Sequence, residues 1–306
     1  MESIKDLIKW AEAELVHSDI ESFDIDTELL FMDSFGAHRE DIYIMKSFKP
    51  TIHCIERFRH RVKLRASRYP LQYILKGAEF MGLHFKLEEG VFIPRPETEL
   101  LVERVLEYIK STPKIRGECQ QLDKTIPEGV NILEIGTGCG NLAISLTKNV
   151  TDCKIIASDI SDKTLRVAVG NARLHNVSER IKFIKSNFFD NISFIYYNYF
   201  DIILSNPPYV RRKEIGSLQP EISYEDIMAL DGGEDGLYFY RRILNEGAKY
   251  LKGGGIFAFE IGYDQRNEIA RLIRNDGTFF DTTFFRDYTG HDRVMITKYR
   301  RGDRIG

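Results

Sequence analysis

The chain has 306 residues, 43% of them hydrophobic and 29% charged, with a formal net charge of -3. This is enough apolar material for a sizeable core in one large domain or two. The mildly acidic balance excludes a globally basic nucleic-acid binder while leaving a local patch open, and no apolar stretch reaches the roughly 20 residues of a membrane-spanning helix.

The N-terminus carries Glu2, Lys5, Asp6, Glu12 and Glu14 within a helical pattern, unlike a signal peptide or an acid-poor transit peptide. Cys54, Cys119, Cys139 and Cys153 are scattered, with no close pair and no histidine at metal-ligand spacing. A reduced, cytoplasmic protein without a bound metal is the expectation. From Ser3 to about Tyr69 the apolar residues fall at helical spacing: Ile4, Leu7, Ile8 and Leu15, then Leu29, Leu30 and Met32, then Ile52, Ile55, Phe58 and Val62. They predict a small all-helical domain over residues 1–72. Its last helix carries Arg57, Arg59, Arg61, Lys63, Arg65 and Arg68, which reads either as a solvated face or as a docking surface for an acidic protein or RNA.

Weak alternation around Gly77, Gly82 and Gly90 predicts a β-hairpin linking two domains across residues 73–95. Next comes Ile93-Pro94-Arg95-Pro96-Glu97-Thr98-Glu99, a rigid entry to a helix marked by Leu100, Leu101, Val105 and Leu106, with Thr98 as a candidate cap. Functional roles for Arg95 and Glu97 stay open. Between Ser111 and Gly129 the composition turns polar and predicts an exposed loop.

The remainder alternates. Strands are expected at 130–135, 154–158, 181–184, 200–204 and 255–260, with helices from Asn141, over 161–175, near 237–250 and near 265–274. Repeated β-α-β units imply a parallel, doubly wound α/β sheet. The runs 278–286 and 293–298, joined around Gly290, read as an antiparallel hairpin at a sheet edge.

Two turns carry the chemistry. Glu134-Ile135-Gly136-Thr137-Gly138-Cys139-Gly140 follows a buried strand, and its glycines allow the backbone to turn sharply against a ligand. Its third glycine comes one residue early for the dinucleotide fingerprint, and no basic residue stands ready for a pyrophosphate. Asp159 ends the next strand nineteen residues after Gly140, where its carboxylate suits ribose hydroxyls or, alternatively, caps the helix that follows. Phe188 suits an adenine face or a place in the core. These features favour adenosine carrying a sulfonium over a dinucleotide. The second turn, Ser205-Asn206-Pro207-Pro208-Tyr209, closes the strand Phe200-Asp201-Ile202-Ile203-Leu204. An Asn side-chain oxygen and a backbone carbonyl beside an aromatic ring suit an NH2 group on an sp2 carbon, whose delocalised lone pair must be oriented and whose developing charge must be stabilised.

Taken with Tyr73-Ile74-Leu75, Glu79-Phe80, the 93–99 segment, Ala229-Leu230-Asp231-Gly232-Gly233-Glu234-Asp235-Gly236-Leu237 and Glu260-Ile261-Gly262, these turns resemble the HemK/PrmC family of release-factor glutamine N5-methyltransferases across about residues 70 to 265. The resemblance implies a class I (Rossmann-like) S-adenosylmethionine-dependent methyltransferase over 96–306, behind the helical domain and hairpin. It implies that Gly136, Thr137, Gly138, Cys139, Gly140, Asp159 and Phe188, with Asn206, hold the cofactor. Asn206, Pro207, Pro208 and Tyr209 would hold the glutamine amide of a Gly-Gly-Gln loop in bacterial peptide chain release factors: Asn206 and the Pro207 carbonyl accept from the NH2, and Tyr209 packs on its plane. Two departures are Glu225-Asp226, where the family usually has Glu-Pro, and Cys139, in a slot often taken by Ser. The rivals are an adenine-N6 DNA or RNA methyltransferase, which would flip a base and need a larger basic region, a glutamine methyltransferase acting on a ribosomal protein, and a non-catalytic cofactor-binding module. Neither a membrane nor a stable nucleic-acid partner is expected.

Overall fold

The computed structural model describes residues 3–44, 51–112 and 129–300, so most of the polar 111–129 stretch, with Cys119, lies outside the described residues. The chain divides into two units: Met1–Ala78 with Leu87–Gly90 and Gln219–Glu225, and the remainder.

The first unit is helical: α1 (Ile4–His17), α2 (Phe23–Phe35), α3 (Arg39–Ile44), α4 (Ile52–Ala66) and the short α5 (Leu71–Leu75). Ser3 and Thr51 cap α1 and α4 by accepting the Asp6 and Cys54 backbone N–H groups. The apolar spacing finds most of the core, with Leu7, Ala11, Leu15, Leu30, Phe31, Phe58 and Val62 buried together, but it misplaces Ile52, which is 75% exposed in the first turn of α4. Part of α2's inner face is polar instead, with Asp26, Thr27 and Ser34 buried.

The cations of α4 and the turn after it are not the bare face the sequence suggests. Arg65, itself buried, donates from Nε to Asp26 at 2.6 Å and from Nη1 to Glu221 at 2.8 Å, while Arg68 reaches the other Glu221 oxygen at 2.9 Å. Arg57 donates to the Ser34 carbonyl, Arg61 pairs with Asp33, and Arg59 lies 5.1 Å over the Trp10 ring. Of the six, Lys63 points to solvent. A guanidinium points its donors outward along different edges of one plane, which lets it bridge the buried Asp26 and the partly buried Glu221.

The second unit holds most of the hairpin, β1 (Gly77–Phe80) and β2 (Leu83–Lys86), shorter than the sequence suggests because Tyr73 and Ile74 are spent in α5. It continues with α6 (Glu99–Ser111) and a seven-stranded sheet: β3 (Val130–Ile135), β4 (Cys153–Asp159), β5 (Ile181–Lys185), β6 (Phe200–Ser205), β7 (Leu251–Glu260), β8 (Phe279–Arg286) and β9 (Asp292–Tyr299), in the order β5-β4-β3-β6-β7-β9-β8. Five neighbouring strands run parallel and β9 runs antiparallel between β7 and β8, so only half of the final hairpin forms the edge. The strand runs β3 and β6 are buried on both faces and mostly apolar, as strands covered by helices on each side must be. Helices α7 (Asn141–Asn149), α8 (Asp162–Leu174), α9 (Tyr238–Gly247) and α10 (Arg266–Asp276) complete the unit. α9 ends three residues before its expected limit, and β7 begins at Leu251 rather than Gly255.

Candidate active site

In an open parallel sheet, ligands meet the carboxyl ends of the strands where the strand order reverses. Here that point lies between β3 and β6: β4 and β5 extend the sheet one way from β3, and β7 the other way from β6. Both candidate turns leave from this pair. Ser205, at the end of β6, donates its hydroxyl to the Ile135 carbonyl at the end of β3 (2.6 Å), clamping the two exits side by side.

At the β3 exit, Gly136 and Gly138 take φ of +75° and +57°, and no atom lies within 4 Å of the place where a Cβ would stand, so bare backbone faces open space. Asp159, ending β4, accepts the Gly138 N–H through Oδ2 and the Ser161 N–H through Oδ1, both at 3.0 Å. Ser161 itself caps α8, by accepting from Thr164, so Asp159 is not that helix's cap. Burial raises its pKa and those backbone donors pull it back. Glu134, fully buried beneath the turn, accepts the Thr137 hydroxyl through Oε2 at 2.8 Å, while its Oε1 has no partner. Burial, with the Asp159 charge adding to it, pushes its carboxyl up to about 8 against the Thr137 hydrogen bond. Bare glycine backbone facing open space and the Asp159 carboxylate one strand away make a turn that fits the sugar hydroxyls of a nucleoside.

The Cys139 side chain faces inward, 1% exposed, and burial pushes its thiol up to about 12; only its backbone borders the turn. Its carbonyl accepts from Asn171 Nδ2 at 2.9 Å, and the same amide bonds both the N–H and the carbonyl of Lys86 in β2. Phe188 has φ +54° and is 7% exposed, packed on Phe239 with the Arg242 guanidinium 4.1 Å from its ring centre.

At the β6 exit, Asn206 is half-buried and Pro207 buried. Asn206 Nδ2 donates to the Thr98 hydroxyl at 3.1 Å. The expected capping role of Thr98 therefore fails: Thr98 has helical φ and ψ in a 3-10 turn, makes no cap bond, and turns its oxygen to Asn206 instead. Arg95 and Glu97, in the same turn, act electrostatically on Tyr209 and on Glu260. The Tyr209 hydroxyl donates to Glu260 Oε1 at 3.2 Å, and burial followed by the Glu260 charge raises its pKa well above 10.

The main chain after the turn is bracketed by the Ala229–Leu237 motif and by Gln265, for which the sequence reading had no role. Gln265, 1% exposed, donates to the Tyr209 and Gly236 carbonyls at 2.9 and 3.2 Å and accepts from Gly262 N–H. Val210 and Asp231 form a bridge, which lays the Ala229–Leu237 stretch against the end of the Asn-Pro-Pro-Tyr turn. A Cβ on Gly236, at φ +75°, would stand 2.4 Å from Gln265 Nε2 and 2.6 Å from the Tyr209 carbonyl oxygen, so only glycine fits. Past the turn, Glu225 is buried and Asp226 caps a 3-10 turn through Met228 N–H, at the place where the family's usual proline is missing.

The sequence matches two family models, a PrmC N-terminal domain over residues 6–75 and a methyltransferase domain over 126–292. It is 34% identical over 296 residues to the release factor glutamine methyltransferase of Clostridium acetobutylicum, covering 96% of this chain and 97% of that one. It is 36% identical over 276 residues to that of Fusobacterium nucleatum (90% and 73%) and 31% identical over 295 residues to that of Aquifex aeolicus (96% and 95%).

Proposed function

The chain belongs to the release factor glutamine methyltransferase family, and we propose that it transfers a methyl group from S-adenosylmethionine to the side-chain amide nitrogen of the Gln in the Gly-Gly-Gln loop of peptide chain release factors. The observation that carries this reading is the pair of strand ends: a glycine turn suited to the donor and an Asn-Pro-Pro-Tyr turn suited to a planar amide leave neighbouring strands, joined by the Ser205–Ile135 hydrogen bond.

When bound, S-adenosylmethionine supplies a methyl group on a positively charged sulfur. Residues Gly136 to Gly140, with their bare backbone, would hold it, Asp159 would accept from its hydroxyls, Phe188 would border its aromatic base, and Asn206 would contribute between the cofactor and the acceptor. Asn206 Oδ1 and the Pro207 carbonyl accept the two amide hydrogens. They would orient the amide nitrogen and stabilise positive charge developing on it. The Tyr209 ring walls the amide plane. Because a methylated amide nitrogen is acidic enough to lose its proton to water, these residues would need to supply no general base. The helical unit is the reading's docking element for the release factor. No helix among the described residues is long and apolar enough to cross a membrane, and we place the activity in the cytoplasm, where release factors work.

The test is to incubate the protein with labelled S-adenosylmethionine and a release factor, its Gly-Gly-Ala variant, or unmethylated DNA. Label on the wild-type factor alone supports the reading. Label on DNA alone would move the acceptor to adenine, against the observation that five of the six cations at 57–68 already have partners or ring contacts inside the helical unit.

A further inference from the structure

Gln265 opens α10 at the N-cap position, where a polar side chain ordinarily turns back to the free N–H groups of its own helix. Its amide makes no such bond. It reaches instead into the loops that follow β6 and β7. Nε2 donates to the Tyr209 carbonyl at 2.9 Å and to the Gly236 carbonyl at 3.2 Å, and Oε1 accepts the Gly262 N–H at 3.0 Å. The Tyr240 hydroxyl, which donates to the Glu260 carbonyl at 3.0 Å, lies 3.4 Å from the same oxygen. Two glycines make room for this side chain. A Cβ on Gly236 would stand 2.4 Å from Nε2, and one on Gly262 would stand 2.8 Å from Oε1. Gly262 does not take a left-handed φ, so the backbone there does not ask for glycine; the amide lying against it does.

We propose that Gln265 is a positioning residue for the Asn-Pro-Pro-Tyr turn: with one hydrogen on the Tyr209 carbonyl and the other on the Gly236 carbonyl, it sets where the Tyr209 ring stands against the substrate amide. The inference rests on reading Tyr209 as the wall of that amide's plane. Tyr209 is held at both ends, its phenol donating to Glu260 Oε1 and its carbonyl accepting from Gln265. A ring pinned only at its hydroxyl still tilts as its own main chain moves, so the bond to the carbonyl is what fixes the tilt. The Gln265 amide has a single arrangement here. Turned over, it would set its oxygen against two carbonyl oxygens and its NH2 group against the Gly262 N–H, because a carbonyl only accepts and an N–H only donates. One side chain therefore ties the end of the turn, the 229–237 stretch and the loop after β7 in a fixed register.

The test is a cycle of wild type, Gln265→Met, Tyr209→Ala and the double variant, with kcat and KM for release factor read by label transfer and cofactor affinity by calorimetry. Gln265→Met keeps the length of the side chain and removes both donors. It should lower kcat by up to about 100-fold while KM and cofactor affinity stay nearly unchanged. In the Tyr209→Ala background it should cost nothing further, because the ring it places is gone, whereas a residue that only supports the fold would lower kcat equally in both backgrounds. If Tyr209→Ala loses transfer while Gln265→Met keeps wild-type kcat, or loses the same factor with and without the ring, the positioning role is overturned and the proposed function stands. If Tyr209→Ala keeps wild-type kcat, the reading of the turn falls and the inference with it. Should Gln265→Met not fold, Gln265→Glu goes through the same cycle. It keeps the acceptor for Gly262, and its kcat should fall relative to wild type as pH rises and the new carboxyl ionises against two carbonyl oxygens, but only where the Tyr209 ring is present.

Discussion

Asp159 and Asn206 sit at the ends of different strands, and in the proposed function Asp159 serves the cofactor while Asn206 serves chiefly the acceptor amide, so their loss should separate. Asp159→Ala removes charge-assisted hydrogen bonds worth about 1.5–3 kcal/mol, and it is expected to weaken cofactor binding by about 10- to 100-fold. Asn206→Ala should leave that affinity nearly unchanged and lower the transfer rate by about 100-fold or more. Calorimetry and initial rates on both variants check this, and equal loss of affinity and rate in either would contradict the division. Their positions were legible because each follows an apolar strand run and stands where a loop begins. Thr98, Asn171 and Gln265 were not, because their partners Asn206, Lys86 and Tyr209 lie 108, 85 and 56 positions away. A buried polar side chain looks in a sequence like a surface one until the fold delivers its partner.

At the scale of elements, period gave the helices and strands but not the use to which a charged face is put. In α4 the buried Phe58 and Val62 follow the apolar spacing, whereas the arginines beside them look like a solvated stripe and are in fact an internal network. Arg65→Ala should destabilise the helical unit by about 3 kcal/mol, since it leaves the buried Asp26 without its cation, while Glu221 keeps Arg68. Arg65→Lys should recover only part of this, because one ammonium cannot bridge two carboxylates as a planar fork does. Urea denaturation followed by circular dichroism measures both, and a wild-type midpoint for Arg65→Lys would refute the bridging argument. In the 229–237 stretch, Gly236→Ala forces a methyl group against Gln265 and the Tyr209 carbonyl. It is expected to cost about 1–3 kcal/mol of stability and to impair transfer more than cofactor binding.

The whole molecule carries the pH dependence. An unfolded chain releases the Glu134 proton near 4.5, but the folded protein holds it up to about 8. Between those values the folded state binds more protons, so this group makes stability fall as pH rises through the window. Glu134→Gln lacks the titration. The difference in unfolding free energy between wild type and Glu134→Gln, measured without cofactor, should therefore shift by a few kcal/mol from pH 5 to pH 8, at about 1.4 kcal/mol per pKa unit. A constant difference would mean that Glu134 is ionised throughout. The parallel core of the sheet was legible as a whole, because β-α-β alternation admits few arrangements. The insertion of β9 between β7 and β8 was not, since a hairpin's own sequence does not say which of its strands meets the sheet.

Arg65 and Glu221 are 156 positions apart. A ribosome adding roughly 5–20 residues per second needs about 8 to 30 seconds to travel that distance. Throughout that interval the first helices are already out and the carboxylate that completes their ion cluster has not been made. The helical unit therefore cannot finish as soon as its helices emerge: its closing piece is delivered only after the Asn-Pro-Pro-Tyr turn has been made, which ties completion of these helices to the birth of that turn.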